Sequence, residues 1–110
     1  NPDWRDAVIK RAPINAVISG LPRGVVLGLP QVDLLLIDGE PIEDRKWWIE
    51  FAAEIVKPGG WIVLDNANRP EYKAEREALL DHADLVERFN SNDGGTEFLV
   101  TEFYKVKGGE

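Results

Sequence analysis

The stretch GGWIVLDNAN (residues 59–68) sets the fold of this chain, because a run of bulky apolar residues ends directly in an acid and an amide. Residues 61–64 are apolar without alternation, which is typical of a strand in a parallel sheet that is covered on both faces. The two glycines before this run favour a turn rather than a phosphate-binding loop. Asp65 and Asn66 therefore stand at the point where the strand leaves the core.

A second strand of the same kind precedes it. VDLLLIDG (residues 32–39) is apolar apart from one early acid and stops at Asp38. Pro41 suits the first turn of a helix, and KPGG (residues 57–60) is expected to end that helix. Strand, helix and strand in this length predict a right-handed βαβ unit. The apolar helix face is expected to consist of Trp48, Phe51, Ala52, Ile55 and Val56.

The C-terminal region predicts an antiparallel hairpin. EFLVTEFYKV (residues 97–106) is apolar on both faces, so we expect it inside the sheet, whereas the charged DLVERFN (residues 84–90) suits the edge. SNDGG (residues 91–95) is a strong turn signal between them. The other expected elements are a helix from Asn1 that stops at Pro13, a short strand at INAVIS (residues 14–19), and a third helix from Pro70 to about His82 with Tyr72, Leu79 and Leu80 on its apolar face.

Composition fits one α/β domain over residues 1–110 and excludes several classes of function. Hydrophobic residues make up 44% of the chain, which argues against disorder, and the net charge of −7 disfavours nucleic acids. The doublet Arg45-Lys46 is interpreted as a solvated helix face. The absence of cysteine excludes disulfides and thiolate chemistry, and no apolar run reaches the roughly 20 residues of a membrane span.

The sequence also bears on location and on whether the chain is complete. No signal-peptide pattern opens the chain, so a cytoplasmic location is the default expectation. The chain contains no methionine and starts at Asn1, so we expect a mature or clipped chain, or a piece of a longer protein.

The ends of the two parallel strands are the candidate functional site. Ligands of open α/β sheets bind outside the carboxyl ends of the strands, where Asp38, Asp65 and Asn66 are expected to converge. Their oxygen atoms are hard donors suited to Mg²⁺ or Ca²⁺. The simpler interpretation is that both acids cap the following helices, at about 1 kcal/mol each. His82 is expected to be a helix-end residue rather than a base.

VDLLLIDG, the helix after it and VKPGGWIVLDN together resemble the second half of class I S-adenosylmethionine-dependent methyltransferases, over residues 32–106. TEFYKV (residues 101–106) resembles the family's last strand, which is antiparallel and inserted between its two predecessors. The resemblance implies a Rossmann-like three-layer α/β sandwich, of which this chain holds a partial sheet with a C-terminal antiparallel hairpin. INAVIS would be the third strand of that fold. The implied cofactor-binding residues are Ser19, Gly20, Asp38 and Gly39.

Within that family, the metal-dependent O-methyltransferases hold a divalent cation with an acid after one strand and an acid-amide pair after the next. Asp38, Asp65 and Asn66 match those positions. The resemblance implies methyl transfer from S-adenosylmethionine to an oxygen of a small-molecule substrate. Catechol-type members carry a lysine base after the first acid, whereas this chain has Glu40, so Asp38 and Glu40 are the candidate catalytic residues.

Two other classes of function stay open. The family's glycine-rich cofactor loop is missing, because GLPRGVVLG (residues 20–28) lacks the required spacing. We therefore expect the chain alone to be inactive, and the alternative is a non-catalytic α/β binding or assembly module. A phospho-acceptor receiver domain is disfavoured, since WIVLDN ends in acid and amide instead of lysine. An exposed first strand would need a partner, either a missing N-terminal half or a second copy.

Overall fold

The computed structural model describes residue 10 and residues 16–18, 31–38, 41–90 and 100–108. Lys10 is helical, and the rest of the expected opening helix, like the SNDGG turn, lies outside the described residues. No helix in the described ranges is long and apolar enough to cross a membrane. The elements in chain order are β1 (Ala16–Ile18), β2 (Val32–Ile37), α1 (Ile42–Ile55), β3 (Val56–Leu64), a 3₁₀ turn (Pro70–Tyr72), α2 (Lys73–Leu79), β4 (Ala83–Asn90) and β5 (Val100–Val106).

The five strands form one mixed sheet in the order β1-β2-β3-β5-β4. β1, β2 and β3 are parallel, and β5 runs antiparallel to both of its neighbours. The last strand in sequence therefore lies inside the sheet with β4 at the edge, as its two apolar faces predicted. This arrangement confirms the expected partial Rossmann-like sheet with its C-terminal antiparallel hairpin.

The position of β1 differs from the expectation. β1 pairs directly with β2, with Ala16 opposite Leu34 and Ile18 opposite Leu36. In the doubly wound order 3-2-1-4-5-6, the neighbour of the fourth strand is the first strand and not the third. The interpretation of INAVIS as a third strand is therefore wrong, since which strands pair is decided by long-range contacts that the local pattern does not encode.

The KPGG segment also differs from its predicted role. α1 ends at Ile55 and β3 begins at Val56, so KPGG lies within the strand and does not separate helix from strand. Val56 pairs with Val32 while Trp61 pairs with Leu34, so extra residues of β3 bulge out of the ladder. Gly59 has a φ of 81°, which glycine adopts without strain. A Cβ on Gly60 would lie 2.5 Å from Val56 Cγ1 and 2.7 Å from the Asp33 carbonyl oxygen.

The core lies on both faces of the sheet, which explains the apolar runs. Side chains of α1, the 3₁₀ turn and α2 pack on the face that carries Leu35, Ile37 and Ile62. Leu34, Val63 and Phe103 form a smaller buried cluster on the opposite face. The helix expected from Pro70 to about His82 is shorter in the structure, where α2 ends at Leu79. Leu80, which was expected on its apolar face, is 46% exposed. The residues of the helices that join the larger core are Trp48, Ile49, Ala52, Ile55, Tyr72 and Leu79.

Candidate functional site

The carboxyl ends of β2 and β3 lie side by side. Ile37 and Leu64 are paired in the ladder, and the backbone N–H of Asp65 donates to the Ile37 carbonyl at 3.1 Å. Asp38 and Asp65 therefore follow directly after paired residues, so the structure brings them to the same edge of the sheet. Asn66 adopts the left-handed conformation, with a φ of 54°, which asparagine tolerates better than most residues.

Arg45 joins these two strand ends, and sequence reasoning missed it. Its Nη1 donates to the Asp65 carbonyl oxygen at 2.7 Å, and its Nη2 donates to Asp38 Oδ1 at 3.3 Å. The side chain of Arg45 is 7% exposed and that of Asp38 is 41% exposed. The interpretation of Arg45-Lys46 as a solvated helix face is therefore wrong for Arg45. The available signal was its place in α1, because the first turns after Pro41 begin at the carboxyl end of β2.

The Asp65 carboxylate is held by the neighbouring strand and by its own turn. Its Oδ1 accepts a hydrogen bond from Thr101 Oγ1 at 2.8 Å and another from the Asn66 backbone N–H at 2.9 Å. Thr101 belongs to β5 and is buried. The N–H of Ala67 donates to the Val100 carbonyl at 2.8 Å, which ties the same turn to β5. Asp65 is thus fixed by contacts with β2, α1 and β5.

Tyr72 completes the buried side of this edge. It is 1% exposed and belongs to the 3₁₀ turn that follows β3. Burial raises the pKa of the Tyr72 phenol, and the nearby guanidinium of Arg45 opposes that rise. Tyr72 is therefore a neutral phenol at physiological pH, and it lies beside the guanidinium of Arg45.

The capping interpretation of the two acids is wrong. The residue that precedes α1 is Pro41, and no side chain caps that helix. Arg69 precedes the 3₁₀ turn, again without a side-chain cap. Asp38 and Asp65 instead contact α1 through Arg45, so their place at the strand ends needs another explanation. His82 follows α2 and its N–H donates to the Leu79 carbonyl at 2.9 Å, which confirms it as a helix-end residue.

The side chains at these strand ends are poorly arranged to bind a divalent cation. Asp38 and the Asp65 carbonyl already contact a buried guanidinium, and Asp65 Oδ1 has two other donors. In the described part of the chain, no group of three acidic, histidine or cysteine side chains is placed to hold a metal ion. The metal site at Asp38, Asp65 and Asn66 stays a prediction. Ser19, Gly20, Gly39 and Glu40 lie outside the described residues, and their roles stay predictions too.

A second arginine–carboxylate pair lies on the helix-covered face of β5. Glu102 is 1% exposed and accepts hydrogen bonds from Arg76 Nε at 3.0 Å and Arg76 Nη2 at 2.6 Å. The hydroxyl of Tyr104 also donates to it, and Arg88 Nε lies 3.4 Å from its Oε2. Burial and this hydrogen bond to Glu102 raise the pKa of Tyr104. This pair links α2 to β5.

Comparison with known proteins identifies the class of fold. The structure is similar to the crystal structure of N-methyltransferase NodS from Bradyrhizobium japonicum WM9, with 14% identity and a TM-score of 0.52, over 84% of this chain and 72% of that chain. It is also similar to NodS in complex with S-adenosyl-L-homocysteine, with 15% identity and a TM-score of 0.50, over 83% of this chain and 65% of that chain. No protein-family model matches the sequence, and no curated protein matches it significantly. The chain therefore has a methyltransferase-type Rossmann-like α/β fold.

Proposed function

We propose that this chain is part of an S-adenosylmethionine-dependent methyltransferase that methylates an oxygen atom of a small molecule. The observation that supports the proposal is the half-exposed Asp38 carboxylate, which Arg45 holds at the carboxyl ends of β2 and β3. This edge is where open α/β sheets bind their ligands. The likeness to NodS supports the same class of reaction, and the resemblance of the sequence to O-methyltransferases supports oxygen as the acceptor.

Each residue at this edge has a proposed task. S-adenosylmethionine, when bound, supplies a methyl group on a positively charged sulfur. Asp38 would accept hydrogen bonds from the cofactor, together with Ser19, Gly20 and Gly39, and Glu40 would take the proton of the acceptor hydroxyl. Most of the rate would then come from holding acceptor and methyl group in line. Asp65 is suited to support this geometry, because Thr101 and Asn66 fix its carboxylate.

The proposed reaction does not depend on a divalent cation. Mg²⁺ or Ca²⁺ at Asp38 and Asp65 would compete with a guanidinium that is already in contact with both residues. Methyl transfer that is unchanged by a chelator would agree with this arrangement. Loss of activity on chelation, with recovery on addition of Mg²⁺, would contradict it.

The binding test compares two aspartates, one near each end of β2. S-adenosylhomocysteine is titrated calorimetrically into the full-length protein and into its Asp38→Asn and Asp33→Asn variants. Asp33 lies at the start of β2 and is ion-paired with Lys57, so it is the matched control for Asp38 at the other end. We expect Asp38→Asn to weaken binding about tenfold or more, a loss of about 1.4 kcal/mol, and Asp33→Asn to leave it unchanged. Absence of binding to the wild type would favour a non-catalytic module, whereas equal weakening by both variants would contradict the proposed role of Asp38.

The acceptor test measures which atom receives the methyl group. Pairs of phenol and aniline acceptors of the same shape are incubated with labelled S-adenosylmethionine, and the products are identified by mass spectrometry. We expect methyl ethers from the phenols. Products methylated only on nitrogen would contradict an oxygen acceptor while leaving methyl transfer itself intact.

A further inference from the structure

We propose that Arg45 is the built-in cation of this site: its guanidinium holds the ends of β2 and β3 together, positions Asp38, and keeps divalent metal ions out. The inference deepens the proposed function, since it concerns the same edge and rests on that edge being the ligand site. Its tests measure metal binding and local backbone opening, so they succeed or fail independently of methyl transfer.

The contacts of Arg45 extend the sheet by one residue beyond its last backbone bond. The Asp65 N–H to Ile37 carbonyl bond, at 3.1 Å, is the last direct link between β2 and β3 that the described backbone makes at this end. Arg45 then bridges the next positions, with 2.7 Å to the Asp65 carbonyl oxygen and 3.3 Å to the Asp38 carboxylate. A guanidinium suits this task because its donors project in a fixed planar fork.

Burial holds the guanidinium in this position. The Arg45 side chain is 7% exposed, so its charge depends on protein partners rather than on water. Its backbone N–H donates to the Pro41 carbonyl at 3.0 Å, so the residue lies at the end of the first turn of α1. A metal ion that displaced it would leave a buried guanidinium without Asp38, and that state is costly.

Charge opposes a metal ion even without displacement. Mg²⁺ needs near-octahedral coordination by oxygen, and the positive charge of Arg45 beside the Asp38 carboxylate repels it. Asp65 Oδ1 is also committed to Thr101 and to the Asn66 N–H. The Asp38 carboxylate is therefore already paired with a positive charge, and Asp65 Oδ1 already has two hydrogen-bond donors.

The first experiment measures Mn²⁺ binding, because this ion is a spectroscopic substitute for Mg²⁺. Manganese is titrated into the full-length protein and followed by electron paramagnetic resonance for the wild type, Arg45→Gln and Lys46→Gln. We expect Arg45→Gln to bind Mn²⁺ about tenfold more tightly than the wild type, and Lys46→Gln, which removes the neighbouring charge, to behave as the wild type. The gain should disappear when Asp38→Asn is added to Arg45→Gln. Equal Mn²⁺ binding by the wild type and Arg45→Gln, or tight wild-type binding that Asp38→Asn abolishes, would overturn the proposal.

The second experiment measures how firmly the strand ends are joined. Hydrogen exchange of the Asp65 backbone amide reports opening of its bond to Ile37. We expect exchange to accelerate about tenfold in Arg45→Gln and not in Lys46→Gln, with the change confined to residues near the strand ends. Unchanged exchange in a folded Arg45→Gln protein would overturn the positioning role.

A conservative variant keeps the proposal testable if Arg45→Gln does not fold. Arg45→Lys retains the positive charge and loses the planar fork. We expect it to exclude Mn²⁺ as the wild type does, while the Asp65 amide still exchanges faster. Mn²⁺ binding by Arg45→Lys, or wild-type exchange of its Asp65 amide, would contradict the two parts of the proposal separately.

Discussion

Two of the arginine–carboxylate pairs in the described part of the chain have opposite patterns of burial. In the pair at the strand ends, the Arg45 side chain is 7% exposed and the Asp38 side chain 41%. In the pair between α2 and β5, the Arg76 side chain is 26% exposed and the Glu102 side chain 1%. One pair therefore presents an acid to the surface, whereas the other hides its acid and leaves the arginine partly in contact with solvent.

We interpret this difference as one between the pair at the proposed ligand site and a pair that serves the fold. Glu102 accepts two hydrogen bonds from Arg76 and one from Tyr104, with Arg88 close by, so both of its oxygen atoms are occupied. Asp38 keeps a large exposed fraction at the edge where this fold binds ligands. Charge pairing alone does not distinguish the two pairs; the distinction depends on which partner is buried.

The largest effect is expected from Glu102→Gln. The variant keeps the size of the side chain but leaves Arg76 and Tyr104 without a charged acceptor. We expect a loss of about 3 kcal/mol in the free energy of unfolding, which is the lower end for breaking a buried pair, because Arg76 is partly exposed. Urea denaturation measures it. Glu77→Gln, at an exposed position on α2, the helix that carries Arg76, is the control and is expected to change stability by less than about 0.5 kcal/mol. A loss below about 1 kcal/mol in Glu102→Gln would contradict a structural role for the Arg76–Glu102 pair.

The next largest effect is expected from alkaline pH, which acts on Tyr104 beside the Arg76–Glu102 pair. Burial raises the pKa of Tyr104 above its usual value of 10.0, so above that pH the unfolded chain releases a proton that the folded chain retains. The free energy of unfolding is therefore unaffected by the ionisation of this tyrosine below pH 10. It falls as the pH rises further, by up to about 1.4 kcal/mol per pH unit for each such tyrosine. The pKa of Tyr72 is also raised by burial, although Arg45 opposes the shift. Urea denaturation across this pH range should show that Tyr104→Phe reduces the slope more than Tyr72→Phe does. Equal slopes in the wild type and Tyr104→Phe would show that the buried phenol does not contribute.

Most of the sheet could be predicted from local patterns. The unbroken apolar runs of β2 and β3 require burial on both faces, and the two apolar faces of β5 place it inside the sheet; the structure confirms all three positions. The neighbour of β1 and the bulge around Gly59 were not predictable in the same way. Both depend on contacts between segments that are distant in sequence, whereas periodicity reports only how one segment meets the core.

The candidate site was predictable only in part. Asp38 and Asp65 could be placed because the carboxyl ends of parallel strands share one edge. Arg45 could not be identified, since a helical charge next to a lysine usually lies in solvent. Thr101 is 36 residues from Asp65, so nothing local connects the hydroxyl with the carboxylate. Side-chain partners of this kind become visible only when the packing of α1 and β5 against the strand ends is known.

A smaller effect is expected from Thr101→Val, which removes a hydrogen bond to Asp65 beside the Arg45–Asp38 pair and leaves Asp38 unchanged. Valine keeps the shape but removes the hydroxyl that donates to Asp65 Oδ1. We expect a loss of about 1 kcal/mol in the free energy of unfolding, the usual contribution of one such hydrogen bond. Thr96→Val, another threonine of the C-terminal region, is the control for the change of chemistry. A loss as large as that of Glu102→Gln would assign Asp65 to a structural role like that of Glu102 and not to the proposed ligand site.

The smallest effect on stability is expected from Asp38→Asn, and that result would separate the two pairs most sharply. Arg45 would keep its 2.7 Å bond to the Asp65 carbonyl, and the Asp38 side chain is 41% exposed, so water can replace much of what it loses. We expect a change below about 1 kcal/mol in the free energy of unfolding, within the range of solvent-exposed ion pairs, with Asp33→Asn as the control at the other end of β2. A small stability change together with a large loss of S-adenosylhomocysteine binding would assign Asp38 to ligand binding. A stability loss that matched Glu102→Gln would instead show that Arg45 and Asp38 serve the fold, because a carboxylate needed to hold the protein together has little capacity left to bind a ligand.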